Sequence, residues 1–593
     1  MGVTGKEHDS HPHEKLQGNA GKQGNKLLKG AALLGAAAVL SKLLGTLQKI
    51  PLQNVAGDVA FGIYNAVYPL YILILFAATA GFPVAVSKFV AERVLEGDHS
   101  GARRIVYVST ALLLSAGVVS FLCLYFGAEI IAGWIGIRQT ATAIRSISFA
   151  LLLSPVLAVL RGYFQGYQNM VPTAVSQVIE QLIRVITMVA LLLYMVALAY
   201  DEAWIAAGAT FGSVTGAGAG LIVMAVFWRR SRRVERERAL KVRAELAGGD
   251  SLEKGEERIA EREEMNRKGS FATQLSFWQW AKRITWYAIP VCLGAIVVPL
   301  LTLVDTFTMP RVLEASLGSE VEAMRQFGLY NRGLPLVQLV VMIASSMSAV
   351  LVPAIAEAKA RGQEDRVCFR AEMSIRHAWQ IGLGASFGLA FAAVPINVML
   401  YTSSEASWTM AVLAFTALFS TLNAVSASVL QGAGAIRTPA KALLVAIVLK
   451  ALGNIVLLPR WGIDGAALSA VIAYAAAAGL NLVQLRRCTG ARFALRPYAV
   501  SPALGVGLMG GCLAALQGLA MLATAAWHVP ERWSASAIAV IGVAGGAAVY
   551  ALALLRSGSI SREELRLMPE LERKLAPLLA KLRPRRSSRG PRT

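Results

Sequence analysis

About fourteen apolar segments, each long enough to cross the roughly 30 Å hydrocarbon core of a bilayer as a helix, decide what this chain can become. Six precede a charged stretch at 229–283: residues 27–48, 61–80, 105–127, 146–163, 171–199 and 203–228. Eight follow it: 284–307, 327–351, 378–400, 410–431, 438–457, 465–483, 500–525 and 534–555. With 55% hydrophobic and only 16% charged residues, the chain has too little charge to clothe a soluble surface. The expected fold is an all-α polytopic membrane protein of about fourteen transmembrane helices.

The formal net charge of +22 would suit a nucleic acid, but the cations lie in loops between apolar segments. Retention of Lys and Arg on the cytoplasmic side accounts for them, and no nucleic-acid partner is expected. With the N-terminus inside, the cytoplasmic loops carry Lys88, Arg93, Arg103, Arg104, then Lys359, Arg361, Arg366, Arg370, then Arg486, Arg487, Arg492 and Arg496. The opposite loops hold Arg138, Arg311, Arg325, Arg460 and Arg532, diluted by Asp58, Asp201, Glu202 and Asp464. Both termini are therefore expected in the cytoplasm. Five cysteines stand singly, without CxxC or metal-ligand spacing, and read as small apolar residues. Residues 1–25 lack the apolar core of a signal peptide; they read as a disordered cytoplasmic tail, with His8, His11 and His13 too sparse for a metal site.

The charged stretch divides the chain. An N-lobe at 26–228 and a C-lobe at 284–485 hold six segments each, joined by the sign-alternating linker 229–283, which reads as a solvated helix. Its membrane-proximal Arg229, Arg230, Arg232 and Arg233 also suit anionic lipid heads. The lobes echo one another. Gln165-Gly166 leads to Pro172 and Arg184, and Gln431-Gly432 leads to Pro439 and Lys450, with the same glycine-to-cation distance; Trp204 and Gly208 likewise match Trp461 and Gly465. Two such repeats in pseudo-two-fold arrangement are a known transporter plan. Residues 498–556, with two further helices, stand outside it, and 557–593 reads as a basic amphipathic cytoplasmic tail.

Charges inside the apolar segments carry the chemistry. A lysine at membrane depth costs a few kcal/mol and normally faces a partner or water, yet Lys42 lies inside the first segment and Lys49 just past its end. The fifth segment places Gln177, Glu180, Gln181 and Arg184 on one helical face. This is either a self-neutralising Glu180–Arg184 pair that glues helices or a wet cavity wall. Lys450 has no acidic neighbour on its own helix, and Arg332 stands near the outer end of its segment beside Tyr330 and Asn331. Asp305 either binds a coupling cation or pairs with Arg332. Cations outnumber acids, which suits phosphate or pyrophosphate. A stripe of Gly208, Gly212, Gly216 and Gly220 fits either helix sliding or plain close packing. No Walker loop, HExxH or GxSxG is present, so no enzyme, cofactor or metal is expected. Transport would be driven by the membrane potential or a monovalent cation.

SKLLGTLQKIPLQNVAGDVAFGIYNAVYPLY and TAGFPVAVSKFVAER resemble the opening of the MurJ-like, stage V sporulation protein B group of polysaccharide-export proteins. LVDTF, LYNRGLPL, SSMSAVLVPAIAEA and QGAGAIRTPAKA extend the resemblance over most of 26–483. Their superfamily also contains O-antigen flippases and multidrug exporters. The resemblance implies two six-helix lobes around a V-shaped cationic cavity, with two added helices forming a lipid-tail groove. It matches family arginines to Lys42, Lys49 and Arg332, while YPLYILILFAATAGFP has no counterpart of a second-helix arginine. It implies a flippase in the bacterial cytoplasmic membrane that moves an undecaprenyl-pyrophosphate-linked glycan, lipid II first, across the bilayer. Lys42, Lys49, Arg184, Arg332 and Lys450 are the expected substrate-binding cations, supported by Glu180, Gln181, Asp305 and Asn331. Membrane lipids and cell-wall synthesis enzymes are the expected partners. The alternatives are another lipid-linked polysaccharide or a small-molecule/cation antiporter.

Overall fold

The computed structural model describes residues 30, 32–247, 275–491, 499–527 and 530–557, and among these there is no strand. The tail at 1–25, residues 248–274 of the linker and the tail beyond Ser557 lie outside the described residues. Contacts divide the chain into two compact units, Met1–Ala56 with Ala66–Pro299, and Gly57–Asn65 with Leu300–Thr593. The chain opens with α1 (32–47), α2 (Lys49–Thr79), α3 (Phe82–Leu95) and α4 (His99–Phe126). It continues through α5 (Ala128–Ile135), α6 (Thr140–Ser148), α7 (Ala150–Gly166), α8 (Val171–Ala197) and α9 (Glu202–Ala247). After α10 (Phe277–Leu317) come α11 (Glu320–Asn331), α12 (Leu334–Ala360), α13 (Glu364–Phe391) and α14 (Ala393–Tyr401). The last four are α15 (Ser407–Gly432), α16 (Arg437–Thr489), α17 (Ser501–Trp527) and α18 (Glu531–Arg556). Helix α9 carries the sixth apolar segment 19 residues into the charged linker without a break, from Arg229 to Ala247.

Among the described residues, ten helical stretches are long and apolar enough to cross a membrane, or up to twelve if each of two bent pairs is one span. Two of the ten, Ala32–Leu95 and Arg437–Thr489, run to 64 and 53 residues, far beyond one crossing. Each breaks at a glycine in the left-handed half of backbone space, Gly57 (φ 77°) and Gly462 (φ 56°), where a Cβ would be strained. Each also doubles back. Gly45 packs on Gln181, and Tyr68 accepts a hydrogen bond from Arg184 one turn further along α8; a straight helix would hold Gly45 and Tyr68 about 35 Å apart. In α16, Ser469 Oγ donates to the Lys450 carbonyl at 3.0 Å, and Gly453 lies against the same serine.

The sequence placed the boundary between lobes at 283/284, but the contacts place it at 299/300, inside α10. The reason is packing. Trp280, Ala281, Ile284, Ala288 and Cys292 are buried with Phe82, Phe89 and Tyr163 of the first unit. Leu301, nine residues beyond Cys292, is buried with Ala442, Ala446, Ala473 and Ala477 of the second. The expected helix over 327–351 is likewise interrupted at Arg332–Gly333. Pro335, which lacks an N–H and crowds the carbonyl four residues back, starts a fresh helix there.

The internal repeat has a packing counterpart within each unit. A Cβ on Gly166 would meet the Ser87 carbonyl and the Val90 side chain, both at 2.8 Å; on Gly432 it would meet the Val352 carbonyl at 2.8 Å and Ile355 at 2.9 Å. Each glycine therefore lets the end of one helix rest on another, with a β-branched residue three positions beyond the touched carbonyl. Helices α17 and α18 pair through Gly546 and Gly542, which receive Met509 and Leu513. They are anchored to α13 by Tyr550, whose hydroxyl donates to the Gln380 carbonyl at 2.8 Å.

Candidate functional site

In the first unit, the glycine stripe of α9 decides where the charges of α8 stand. A Cβ on Gly212 would lie 2.7 Å from the Arg184 carbonyl, and one on Gly216 would lie 2.6 Å from the Glu180 carbonyl. The stripe is thus a close-packing surface, and it holds the Glu180–Arg184 turn of α8 against α9. With their backbones fixed, the side chains reach the other way. Glu180 Oε1 accepts from Arg184 Nη2 at 2.9 Å, and its Oε2 accepts from Arg161 Nη2 at 2.7 Å. Arg161 of α7 also donates through Nε to Ser176 Oγ at 3.0 Å. Arg184 donates through Nη1 to the Tyr68 hydroxyl at 3.3 Å. Gln181 is buried, and its Nε2 has no hydrogen-bond partner among the described residues. Nearby on α1, Ser41 Oγ donates to the Gln177 carbonyl at 3.3 Å. Lys42 is exposed on that helix, and Lys49 is half-buried at the start of α2.

In the second unit, two buried cations each meet one acid, half-buried Asp58 and buried Asp305. Arg332, at the joint of α11 and α12, makes a two-pronged bridge to Asp58, Nε to Oδ1 at 2.9 Å and Nη2 to Oδ2 at 2.5 Å. Tyr401 closes the other side, its ring 5.4 Å from the guanidinium and its hydroxyl donating to the Arg332 carbonyl. Lys450 of α16 places Nζ 2.7 Å from Asp305 Oδ2 and 3.2 Å from the Leu301 carbonyl. Asp305 also accepts from Tyr330 at 3.2 Å and from Asn454 at 3.1 Å, so both its oxygens are occupied. Asn331 is buried and donates to the Phe327 carbonyl, a contact within its own helix.

These partners revise the expectation. Arg332 pairs with Asp58, which the sequence assigned to an outer loop, and not with Asp305. Lys450 is not alone, because its partner is 145 positions away on α10. Glu180 does pair with Arg184, and it serves a second guanidinium that sequence reasoning missed. Arg161 lies near the C-terminal end of the 146–163 segment and was not singled out in the sequence; a scan for any ion inside a segment finds it. Two guanidiniums share one carboxylate in the first unit, while Arg332 and Lys450 of the second each stand against one acid. Among the described residues, no group of three or more His, Cys, Asp or Glu side chains is placed to hold a metal ion.

Comparison with known proteins points the same way as the fold. Residues 27–249 match the family model for polysaccharide biosynthesis protein, and residues 315–541 that for lipid II flippase MurJ. The chain is 32% identical over 541 residues to the uncharacterized membrane protein YabM of Bacillus subtilis (strain 168), covering 91% of this chain and 94% of that protein. It is 25% identical over 576 residues to the lipid II flippase MurJ of the same organism, covering 93% and 99%. Among solved structures, the lipid II flippase MurJ in an inward closed conformation is similar with a TM-score of 0.58, covering 90% of this chain and 100% of that one. At 13% identity that likeness speaks for the fold.

Proposed function

The chain belongs to the MurJ-like group of polysaccharide-export proteins in the MOP superfamily, and we propose that its cargo is lipid II. Members of this family are flippases for lipid-linked glycans and not enzymes. Here the glycan headgroup is taken up from the cytoplasmic side while its undecaprenyl tail stays in lipid, and alternating access releases it at the outer leaflet of the bacterial cytoplasmic membrane. The observation that supports an anionic cargo is the cluster of Arg161, Glu180 and Arg184 inside the spans of the first unit. Arginine binds phosphate oxygens through charge-assisted, fork-like hydrogen bonds, and ions at membrane depth are rarely kept without a use.

The driving force we assign is the membrane potential. A monovalent cation at Asp305 would have to displace Lys450 Nζ, which already stands 2.7 Å away. Outward movement of a diphosphate is instead favoured by an inside-negative potential at about 2.3 kcal/mol per charge per 100 mV. The test is complementation: the chain is expressed in bacteria depleted of their lipid II flippase, and the leaflet distribution of lipid II is followed. Rescue of growth with lipid II reaching the outer leaflet is expected. A membrane-inserted chain that leaves lipid II inside overturns the assignment.

A second reading, the same flippase chemistry for another lipid-linked glycan, is favoured by one observation. The chain is more similar to the uncharacterized YabM than to MurJ of the same organism, 32% against 25% identity. Outward appearance of that other glycan in the complementation strain, with lipid II unmoved, would establish it.

A further inference from the structure

We propose that the Arg161–Glu180–Arg184 cluster is the site that takes the phosphate, and that Glu180 occupies both guanidiniums as an internal competitor until it arrives. The inference rests on the flippase reading and names the residues that read the diphosphate within it. Three observations separate this cluster from the other buried ions.

The first is charge. Two guanidiniums around one carboxylate keep a net positive charge, whereas Arg332–Asp58 and Lys450–Asp305 are already neutral. The second is reach. The side chains of Arg161, Glu180 and Arg184 are 20%, 16% and 10% exposed, while the cations Arg332 and Lys450 are 3% and 5% and their acids Asp58 and Asp305 12% and 5%. An anion therefore reaches the guanidiniums of the cluster, Arg161 first, more readily than it reaches Arg332 or Lys450. The third is the Gln181 amide, buried one residue from Glu180 and one turn from Arg184, with an unspent donor. A buried amide without a partner carries a desolvation penalty that a ligand oxygen relieves.

Depth adds a direction. Counting from Val171 at the cytoplasmic end of α8, Ser176 beside Arg161 lies about 8 Å in, Glu180 about 14 Å and Arg184 about 20 Å. The cations thus form a ladder from the cytoplasmic interface towards the middle of the bilayer. A phosphate that enters first meets Arg161 and then Arg184. At each step its oxygens replace a carboxylate oxygen, so no guanidinium is left bare. Phosphate matches the arginine fork, and a lysine at either position would keep the charge but lose the paired hydrogen bonds.

The sign of one substitution tests this. Full-length protein in nanodiscs is titrated with undecaprenyl diphosphate, with uncharged undecaprenol as the control lipid. Arg161→Gln and Arg184→Gln should each weaken diphosphate binding at least tenfold, and Arg161→Lys and Arg184→Lys less. Glu180→Gln removes the competitor and should tighten binding several-fold even as it lowers the melting temperature. A cluster that merely glues helices predicts the reverse pattern: Glu180→Gln behaves like the arginine variants or changes nothing but stability. Tighter binding in Glu180→Gln together with loss in both arginine variants supports the site. Unchanged affinity in the folded lysine variants and in Glu180→Gln overturns it. If the wild-type protein does not distinguish diphosphate from undecaprenol, the flippase reading fails first, independently of the site.

Discussion

Arg332 shows how much of a buried charge is decided by a residue far from it. Its guanidinium is held at two points by Asp58 and faced by Tyr401, and with a side chain only 3% exposed it has no water to fall back on. Removing one member of such a pair strands the other, at a cost of about 3–5 kcal/mol, although the intact pair adds little net stability. Asp58→Asn and Arg332→Gln should therefore each lower the thermal midpoint of the purified protein markedly, and the double variant by less than the sum. Additive losses would mean that the two side chains do not share one interaction. The cation itself was legible: an arginine in LYNRGLPL, beside an apolar run, is conspicuous. Its partner was not, because 274 positions separate the two and only the fold brings them together. The same holds for Lys450 and Asp305. Glu180 and Arg184, four apart on one helix, were readable because helical spacing is local information.

Spans are legible because a bilayer demands long apolar runs, and most segment positions follow from that demand. What the runs do not carry is how a chain bends inside them. Gly57 and Gly462 look like any glycine in an apolar stretch, yet each permits the backbone turn at which a long helical element doubles back. The break at Arg332–Gly333 has a local cause in Pro335, which stands in the first turn of the helix that follows. The stripe on α9 was visible, but its use needed coordinates: Gly216 stands against the Glu180 carbonyl, so α8 and α9 are packed backbone to backbone. Gly216→Val should push the helices apart, cost about 1–3 kcal/mol through overpacking, and weaken diphosphate binding by displacing Glu180 and Arg184. Gly218→Ala is the matched control. Its Cβ would meet only Leu153 at 3.8 Å, an ordinary contact, and both stability and binding should stay near the wild type. Equal damage from the two would show that α9 tolerates no side chain in this region for reasons other than the α8 contact.

At the scale of the molecule, the distribution of charge makes voltage a usable probe. A neutral pair moves no net charge however its unit rearranges, so Arg332–Asp58 and Lys450–Asp305 contribute nothing of themselves to voltage dependence. With the proposed cargo, the charge that moves would include the net positive charge of the Arg161–Glu180–Arg184 cluster together with that of the diphosphate. For the proposed diphosphate cargo, about two negative charges outweigh the single net positive of the Arg161–Glu180–Arg184 cluster, so the proposed loaded step carries net negative charge outward. Such a step is accelerated by an inside-negative potential, by up to about 2.3 kcal/mol per net charge per 100 mV if the whole field is crossed. In the same proposal the emptied protein, net positive at that place, would be drawn back by the same field. In proteoliposomes of defined orientation, with a potassium gradient and ionophore setting the potential, transfer of the glycan headgroup should rise as the cytoplasmic face is made negative and fall when the sign is reversed. Replacing Arg161 or Arg184 by glutamine should leave less positive charge to return, so the gain per millivolt should shrink in the return step and grow in the loaded one. A rate indifferent to the sign of the potential would mean that the cargo crosses with its charge fully matched, and that an ion not yet placed drives the cycle.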